Sequence, residues 1–341
     1  MLRFLGSFFT RSAERTEGPD NALIEAAIER AVAGTDPRIR AIGSYRKRLR
    51  QPVEQAILHV ISLVDALPSP VEINPQLFSE DPRLRAFFDS NNHMREVFRG
   101  FKTIRDYLTD LSGPAPDKIY GLLSMAMEER NVLGVELVGD ILRRDVMQVT
   151  VNFTNHRYLG PGSNERDTRR ELKKRAFDFL IEKALERITG ERSKRKELGR
   201  QQHLLKQKLR TMKAGNWGLD AMLTDREQPC SDIAALESKI EAIDRELGQF
   251  NTDNLGIEES LACVIDTLSH PAACLASRKF SLHLDAMGIK VQELSAKSSK
   301  EIVLNEIFSG TGERRIILLG YIARTDIPET PDLWREGYRY L

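Results

Sequence analysis

The sequence has no stretch of about 18 consecutive apolar residues, which is the length that a membrane-spanning helix requires. Cysteine is also scarce, with three widely spaced cysteines in 341 residues. An odd and scattered set does not form the even framework of a secreted disulfide scaffold. These two absences argue against a transmembrane segment and against a small secreted domain, and they favour the reducing cytoplasm as the location.

The sequence also lacks a recognisable phosphate-binding or metal-binding motif. The glycines of residues 309–312 lack the spacing of a phosphate-binding loop, so a hairpin turn explains them better. Cys263, His270 and Cys274 lie at steps of seven and four residues, which would suit zinc on one helical face, but Pro271 interrupts that helix and no fourth ligand is evident. We therefore predict no metal site and no cofactor.

What the sequence does contain is enough apolar material for a core, with 41% hydrophobic and 30% charged residues. A chain of this length can form two or three domains. Residues 1–19 are expected to be a flexible or amphipathic leader, with Leu2, Leu5 and Phe9 on one side. A segment this short binds a bilayer only marginally, so we do not expect peripheral membrane contact.

Residues 20–131 have the pattern of a helical domain. Asp20 precedes an apolar series with helical spacing that stops at Gly34, so both end signals of a helix are present. Asp81 and Pro82 give a cap followed by a first-turn proline, and they start an amphipathic run that continues to Leu108. A further helix is predicted over residues 116–130.

Residues 132–160 and 278–341 change to a period of two, which is typical of strands. A strand around Val132–Val138 is expected to precede one in which Val149, Val151 and Phe153 alternate with polar residues. The same period returns at Phe280–Leu284, at Ile302–Phe308 and at Arg315–Ala323. Together these segments predict a mostly antiparallel β module that is discontinuous in sequence.

Residues 164–270 lie between the two groups of strands and carry apolar residues at alternating steps of three and four. This spacing predicts an antiparallel coiled-coil helical hairpin with its tip at residues 214–231. One register serves the whole length and pairs Leu205 with Ile240 and Ile188 with Ile257, although a slip of one heptad matches nearly as well. Polar residues near the middle of both arms predict a weak or bent zone there.

Charge supports the same pairing of the two arms. Residues 164–213 carry about 17 Lys and Arg against about 8 Asp and Glu, whereas residues 232–270 carry about 9 acids against about 2 bases. The two arms therefore nearly cancel. The basic run of the first arm is best explained as one side of the helical hairpin.

The predicted tip contains an apolar cluster, and aromatic and apolar residues at the end of a projecting arm are suited to contact a partner. The alternative is that the tryptophan folds back and covers the last layer of the helical hairpin. The candidate partner-binding residues are Trp217, Leu219, Met222 and Leu223.

A second basic run lies near the start of the helical domain and has no acid after Asp36. Such a run could lie along nucleic-acid phosphates or another anionic surface. Its candidate residues are Arg38, Arg40, Arg46, Lys47, Arg48 and Arg50.

The sequence therefore predicts an α+β protein with a helical N-terminal domain and a small β module that a long helical hairpin interrupts. We interpret it as a non-catalytic intracellular adaptor or scaffold that binds a protein partner or a second copy of itself through the helical hairpin. The alternative is a nucleic-acid-associated protein. We do not expect an enzyme, because its candidate residues His156, Arg157 and His283 have no visible orienting partner.

Overall fold

The computed structural model describes residues 20–111, 113–138, 141–213, 229–249, 255–285, 287–291, 300–310 and 312–327. The protein is α+β, as the sequence predicts. The chain divides into two compact units, whose described residues are considered separately. The first unit lies within Met1–Leu23, Ala56–Phe177 and His270–Leu341, and the second within Ile24–Gln55 and Asp178–Ser269. The domain boundaries given above stay a prediction.

The described helices and strands are numbered along the chain. The helices are α1 (Asn21–Gly34), α2 (Tyr45–Asp65), α3 (Pro82–Phe87), α4 (Asn91–Gly100), α5 (Lys102–Thr109), α6 (Glu165–Lys213), α7 (Pro229–Gln249), α8 (Leu255–Ser269) and α9 (Pro271–Cys274). The strands are β1 (Val71–Glu72), β2 (Lys118–Val138), β3 (Ile141–Gly162), β4 (Leu275–Leu284), β5 (Lys300–Ser309) and β6 (Arg314–Ala323).

Capping residues explain where the helices of the first unit begin. The carboxylate of Asp81 accepts a hydrogen bond from the Arg83 N–H (2.8 Å), and Pro82 occupies the first position of α3, as predicted. The amphipathic run to Leu108 is nevertheless three helices rather than one. The Ser90 hydroxyl accepts a bond from the His93 N–H (3.1 Å) and starts a new helix inside the run.

A six-stranded sheet forms the centre of the first unit, with strand order β3-β2-β6-β5-β4. Neighbouring strands in this order are antiparallel, and the short β1 pairs in parallel with β6. The predicted strands in residues 280–323 are confirmed as β4, β5 and β6, and β5 and β6 are joined at a turn where the Gly312 N–H donates to the Ser309 carbonyl (2.9 Å). This turn confirms the hairpin interpretation of residues 309–312.

The helix predicted over residues 116–130 is wrong, because this segment belongs to strand β2. Residues 121–125 are buried on both sides of the strand. A strand covered on both faces shows a continuous apolar run, and periodicity alone does not distinguish such a run from a buried helix.

Strand β3 has three bulges along its pairing with β2, and each contains a residue with positive φ. These residues are Asp145 (59°), Asn155 (53°) and Gly160 (60°). Glycine, asparagine and aspartate are the residue types that accept the left-handed region most readily. The bulges increase the twist of the β2–β3 ribbon and leave β2 as the more regular of the two strands.

The core of the first unit lies between one face of the sheet and helices α3 to α5. It is rich in aromatic residues, and its members include Phe87, Phe88, Phe98, Phe101, Phe153 and Tyr158. The second unit has its own buried apolar residues from α1, α2, α6 and α8, and these include Ile28, Val32, Leu49, Val53, Leu180, Ala184, Leu261 and Val264. Each unit therefore has the apolar interior that a stable domain needs.

The Tyr158 ring covers Gly121 on the neighbouring strand, and a Cβ atom at Gly121 would overlap this ring. The ring is buried, and its hydroxyl donates to the Ile119 carbonyl (2.8 Å). We expect Gly121→Ala to lower the free energy of unfolding by about 1–3 kcal/mol, because an extra methyl group overpacks a filled core.

The matched control is Gly100→Ala, where a Cβ atom would meet nothing within 4 Å. Urea denaturation followed by circular dichroism measures both variants, and the control is expected to keep the stability of the unmodified chain. A Gly121→Ala variant as stable as the control would contradict this account of the core.

Candidate interaction surfaces

Helices α6 and α7 contact each other through residues of opposite charge. Asp244 of α7 also accepts a hydrogen bond from Gln202 of α6. The ion pairs between the helices are Lys194 with Glu246 (2.7 Å), Lys206 with Asp244 (3.4 Å) and Lys213 with Glu237 (2.6 Å). The helices are therefore antiparallel here, and the contacts lie within about one to two turns of the predicted register. Because exposed ion pairs stabilise little, their main effect is on register and orientation.

The apolar seam between these two helices is only partly covered. On α7, Leu236 and Ile240 are 8% and 7% exposed. On α6, Leu205 and Leu209 are half-buried, and the neighbouring Leu204 is 50% exposed. Among the described residues of the pair, α6 therefore keeps one exposed leucine and two half-buried ones beside the buried seam of α7.

The register predicted for the whole helical hairpin is wrong for α8. It pairs Ile188 with Ile257, whereas Arg187 donates to Asp266 (2.8 Å) and the Cys263 thiol donates to Glu191 (3.2 Å). These contacts lie about eight positions further along α8 than predicted, close to the slip of one heptad that the pattern also allows. Helix α7 ends at Gln249 and α8 begins at Leu255, and the weak zone predicted at residues 251–254 lies outside the described residues.

A buried carboxylate, Asp36, is the centre of the ion pairs in the second unit. It is 4% exposed and accepts hydrogen bonds from the backbone N–H (3.1 Å) and the guanidinium (2.9 Å) of Arg38. It also accepts one from Arg192 of α6, which in turn donates to the Ser260 hydroxyl of α8 (2.9 Å). The hydrogen bonds from Arg38, opposed by burial and joined by Arg192, hold the pKa of Asp36 far below its usual value.

A cavity of about 280 Å³ adjoins this group. Its charged lining residues are Arg38, Glu191, Arg192, Arg195 and Glu259. With Asp36 included, acids and bases balance, so the cavity offers no net charge to a ligand. We interpret it as part of the packing of the second unit.

The Cys263 thiol of this region is buried, and burial raises its pKa to about 11, which keeps it protonated and unreactive at neutral pH.

Most members of the basic run near the start of the second unit lie beside acids from other segments, and their role at an anionic surface stays a prediction. Five of its six members each lie beside a carboxylate from α1, from α8 or from Asp36. The pairs are Arg38 with Asp36 (2.9 Å), Arg40 with Glu29 (3.2 Å), Arg46 with Glu29 (2.9 Å), Arg48 with Glu258 (2.7 Å) and Arg50 with Glu25 (3.8 Å). Lys47, the remaining member, is exposed. The acids come from segments before and far after the run, so sequence proximity does not reveal them.

The apolar cluster predicted at the tip lies outside the described residues. Trp217, Leu219, Met222 and Leu223 belong to the segment that joins α6 to α7, between Lys213 and Pro229. Their role as partner-binding residues stays a prediction.

The histidine candidate for catalysis has a structural role. His156 Nε2 donates to the Phe87 carbonyl (2.8 Å), its ring stacks on Phe88 (5.0 Å between centroids), and burial lowers its pKa. The ring meets His93 edge-on at 5.9 Å. Arg157 bonds to Asn155, and His283 lies on β4 opposite Glu301 of β5. These bonds do not form the nucleophile, base and orienting group that catalysis needs.

An exposed apolar patch on the first unit was not anticipated from the sequence. Leu133 and Met147 are both 67% exposed, Val135 is 53% exposed, and all three lie on the ribbon formed by β2 and β3. The alternating pattern predicts the strands themselves. It cannot show that β6 stops pairing with β2 at Met125, so that beyond this residue β2 pairs only with β3 among the described residues.

No protein-family model, curated protein or solved structure matches the chain. Among the described residues, no helix combines the length and apolar character needed to cross a bilayer. The same residues contain no group of three or more metal-binding side chains. Function is therefore inferred from the surfaces described above.

Removing the charge of Asp36 tests whether the second unit depends on it. We expect Asp36→Asn to lower the free energy of unfolding by about 2 kcal/mol, because charged hydrogen bonds to a buried acceptor are lost. Since folding depresses the pKa of Asp36, its contribution is complete above the unfolded value near 3.8 and is lost as pH falls below it. The unmodified chain should therefore lose stability below about pH 4 more steeply than Asp36→Asn.

Urea denaturation at several pH values measures this difference. Asp244→Asn is the control, because Asp244 is an exposed acid on α7 and its loss should change stability little. Equal losses in the two variants, or identical pH profiles for Asp36→Asn and the unmodified chain, would refute the role given to Asp36.

Proposed function

We propose that the chain is a non-catalytic adaptor or scaffold that uses the helix pair α6–α7 and its joining segment to bind a protein partner or a second copy. The observation that carries the proposal is the set of incompletely covered leucines of α6 beside its charge-paired contact with α7. On α6, Leu205 and Leu209 are half-buried, and Leu204 beside them is 50% exposed.

Charged and apolar residues of the helix pair have different roles, and this difference supports the proposal. The lysines of α6 that face α7 are engaged by Glu237, Asp244 and Glu246, so they fix how the two helices align. An amphipathic helix that lays its apolar face against the leucines of α6 would complete the seam. Recognition of this kind suits a protein rather than an anionic polymer.

The segment that joins α6 to α7 supplies the proposed anchors. Trp217 and its apolar neighbours Leu219, Met222 and Leu223 are the residue types that dominate protein interfaces when they enter a partner's pocket. A reducing cytoplasm is the proposed location, because the three cysteines are few and widely spaced in the sequence.

The nucleic-acid alternative loses its main support in the second unit. Nucleic-acid binding depends on Lys and Arg side chains that neutralise phosphates and so release the counterions of the nucleic acid. Five members of the basic run already have carboxylate neighbours. An enzyme is likewise not supported by the bonds of His156, Arg157 and His283. The interaction proposal therefore leads.

The test is capture of a partner by the tagged full chain with a reversible cross-linker, followed by mass spectrometry. We expect replacement of residues 215–230 by a short Gly/Ser linker to abolish capture, and Leu204→Glu to reduce it about tenfold. Gln207→Glu is the control, because it introduces the same charge on the same exposed side of α6 at a position that is already polar.

Circular dichroism and urea denaturation show whether each variant keeps its fold. A chain that captures no partner and does not self-associate would contradict the proposal. Full capture by the well-folded linker variant would contradict it as well.

A further inference from the structure

The outer part of the β2–β3 ribbon has the geometry of an incomplete sheet. Strand β6 pairs with β2 only from Lys118 to Met125. From Ala126 to Val138, β2 pairs with β3 alone among the residues that the structure describes. A two-stranded ribbon is marginally stable in water without a third strand or another covering element.

One face of this outer ribbon is apolar. Leu133 and Met147 lie directly opposite each other in the register, and Val135 follows Leu133 on the same face. The three side chains are 67%, 67% and 53% exposed. Large apolar side chains gathered at one exposed place mark an interaction site.

Backbone hydrogen bonds show which groups face the open edge of β2. The Val151 N–H donates to the Gly288 carbonyl (2.9 Å), and the Lys290 N–H donates to the Val149 carbonyl (2.8 Å), so Val149 and Val151 point away from β2. Directions alternate along a strand, so Thr150 points toward β2.

The backbone directions of β2 follow from those of β3, because paired residues of two antiparallel strands point their hydrogen-bonding groups either toward or away from each other. Thr150 is the partner of Arg130, and Gln148 is the partner of Val132, so these are the hydrogen-bonded pairs of the two strands. Asn131 and Leu133 therefore turn their N–H and C=O groups to the open edge. Among the described residues no strand pairs with this edge, and its one side-chain bond is that of Gln148 to the Val135 carbonyl (3.3 Å), so the edge can add a strand.

The edge of β3 is less suitable for pairing. Residues 288–290 already occupy it beside Val149 and Val151, and the bulge at Asp145 interrupts it further out. A bulge disrupts the ladder and turns an edge away from partners. The edge of β2 has no extra residue from Ala126 to Gly134.

We propose that the open edge of β2 pairs antiparallel with the same edge of a second copy, centred on Leu133. In this register Leu133 faces its own counterpart as a hydrogen-bonded pair, and Arg130 faces Glu136 of the other copy. Opposite charges in facing positions favour the pair, and the two-fold arrangement makes this contact twice. The two apolar faces join into one surface that contains Leu133, Val135 and Met147 of both copies.

The proposed pairing of β2 does not depend on the proposed function of α6–α7. It uses residues of the first unit only, and its product is a dimer that carries two copies of the α6–α7 pair. Variants in the ribbon should change the oligomeric state, and variants in residues 215–230 should leave the β2-dependent dimer in place.

Disulfide trapping tests the register in the full chain. In a hydrogen-bonded antiparallel pair the two Cα atoms are about 5.5 Å apart, which a disulfide can span. We expect Leu133→Cys to form a covalent dimer on mild oxidation, with mass spectrometry showing a peptide cross-linked through position 133 of both copies. Asn131→Cys is the control on the same exposed face, and its two copies would be about 14 Å apart along the strands.

Charge exchange tests the facing pair by analytical ultracentrifugation. We expect Arg130→Glu, and Glu136→Arg, each to raise the dimer dissociation constant about tenfold or more, because like charges then face each other twice. The double variant restores opposite charges and should restore the dimer, which a folding defect would not allow. A monomeric chain, open-ended aggregates, equal cross-linking at positions 131 and 133, or no rescue in the double variant would overturn the proposal.

Discussion

Internal pairing of opposite charges is the constraint on which the second unit depends. Helix α6 carries a large excess of basic residues, and Arg192, Lys196 and Arg200 repeat at a spacing that disfavours an isolated helix. Acids from other segments offset this repulsion, with Asp36 buried beside Arg192 and the acids of α7 facing the lysines of α6. The net charge of +1 for the whole chain is therefore the sum of strongly charged segments that face one another.

This arrangement determines which surfaces are left for recognition. Exposed ion pairs contribute little stability, but they occupy the charges that an anionic ligand would use. Each unit also exposes large apolar side chains, with Leu204 in the second unit and Leu133 with Met147 in the first. Exposed apolar groups of this size favour protein contacts, so both proposals concern interaction with proteins and neither requires catalysis.

The sequence predicts local elements well and long-range partners poorly. The end signals of α1 and α3 and the alternation of β3, β4, β5 and β6 are visible in neighbouring residues, and the structure contains all of these elements. The strand over residues 118–130 is not visible in the pattern because residues 121–125 are buried on both faces, so the alternation is lost there. The acids beside the basic run, the register of α8 and the edge of β2 that stays unpaired among the described residues all depend on segments distant in sequence, which local patterns do not reveal. The partner-binding role of Trp217 stays a prediction.

The most direct test of the account is whether the basic residues are free to bind an anionic polymer. Fluorescence anisotropy of a labelled duplex of about 30 base pairs, titrated with the full chain from about 50 to about 200 mM salt, measures this. The account predicts no binding near physiological salt, because Asp and Glu side chains of the chain already pair with its basic side chains. Tight binding that falls steeply with salt would contradict it and would favour a nucleic-acid-associated protein.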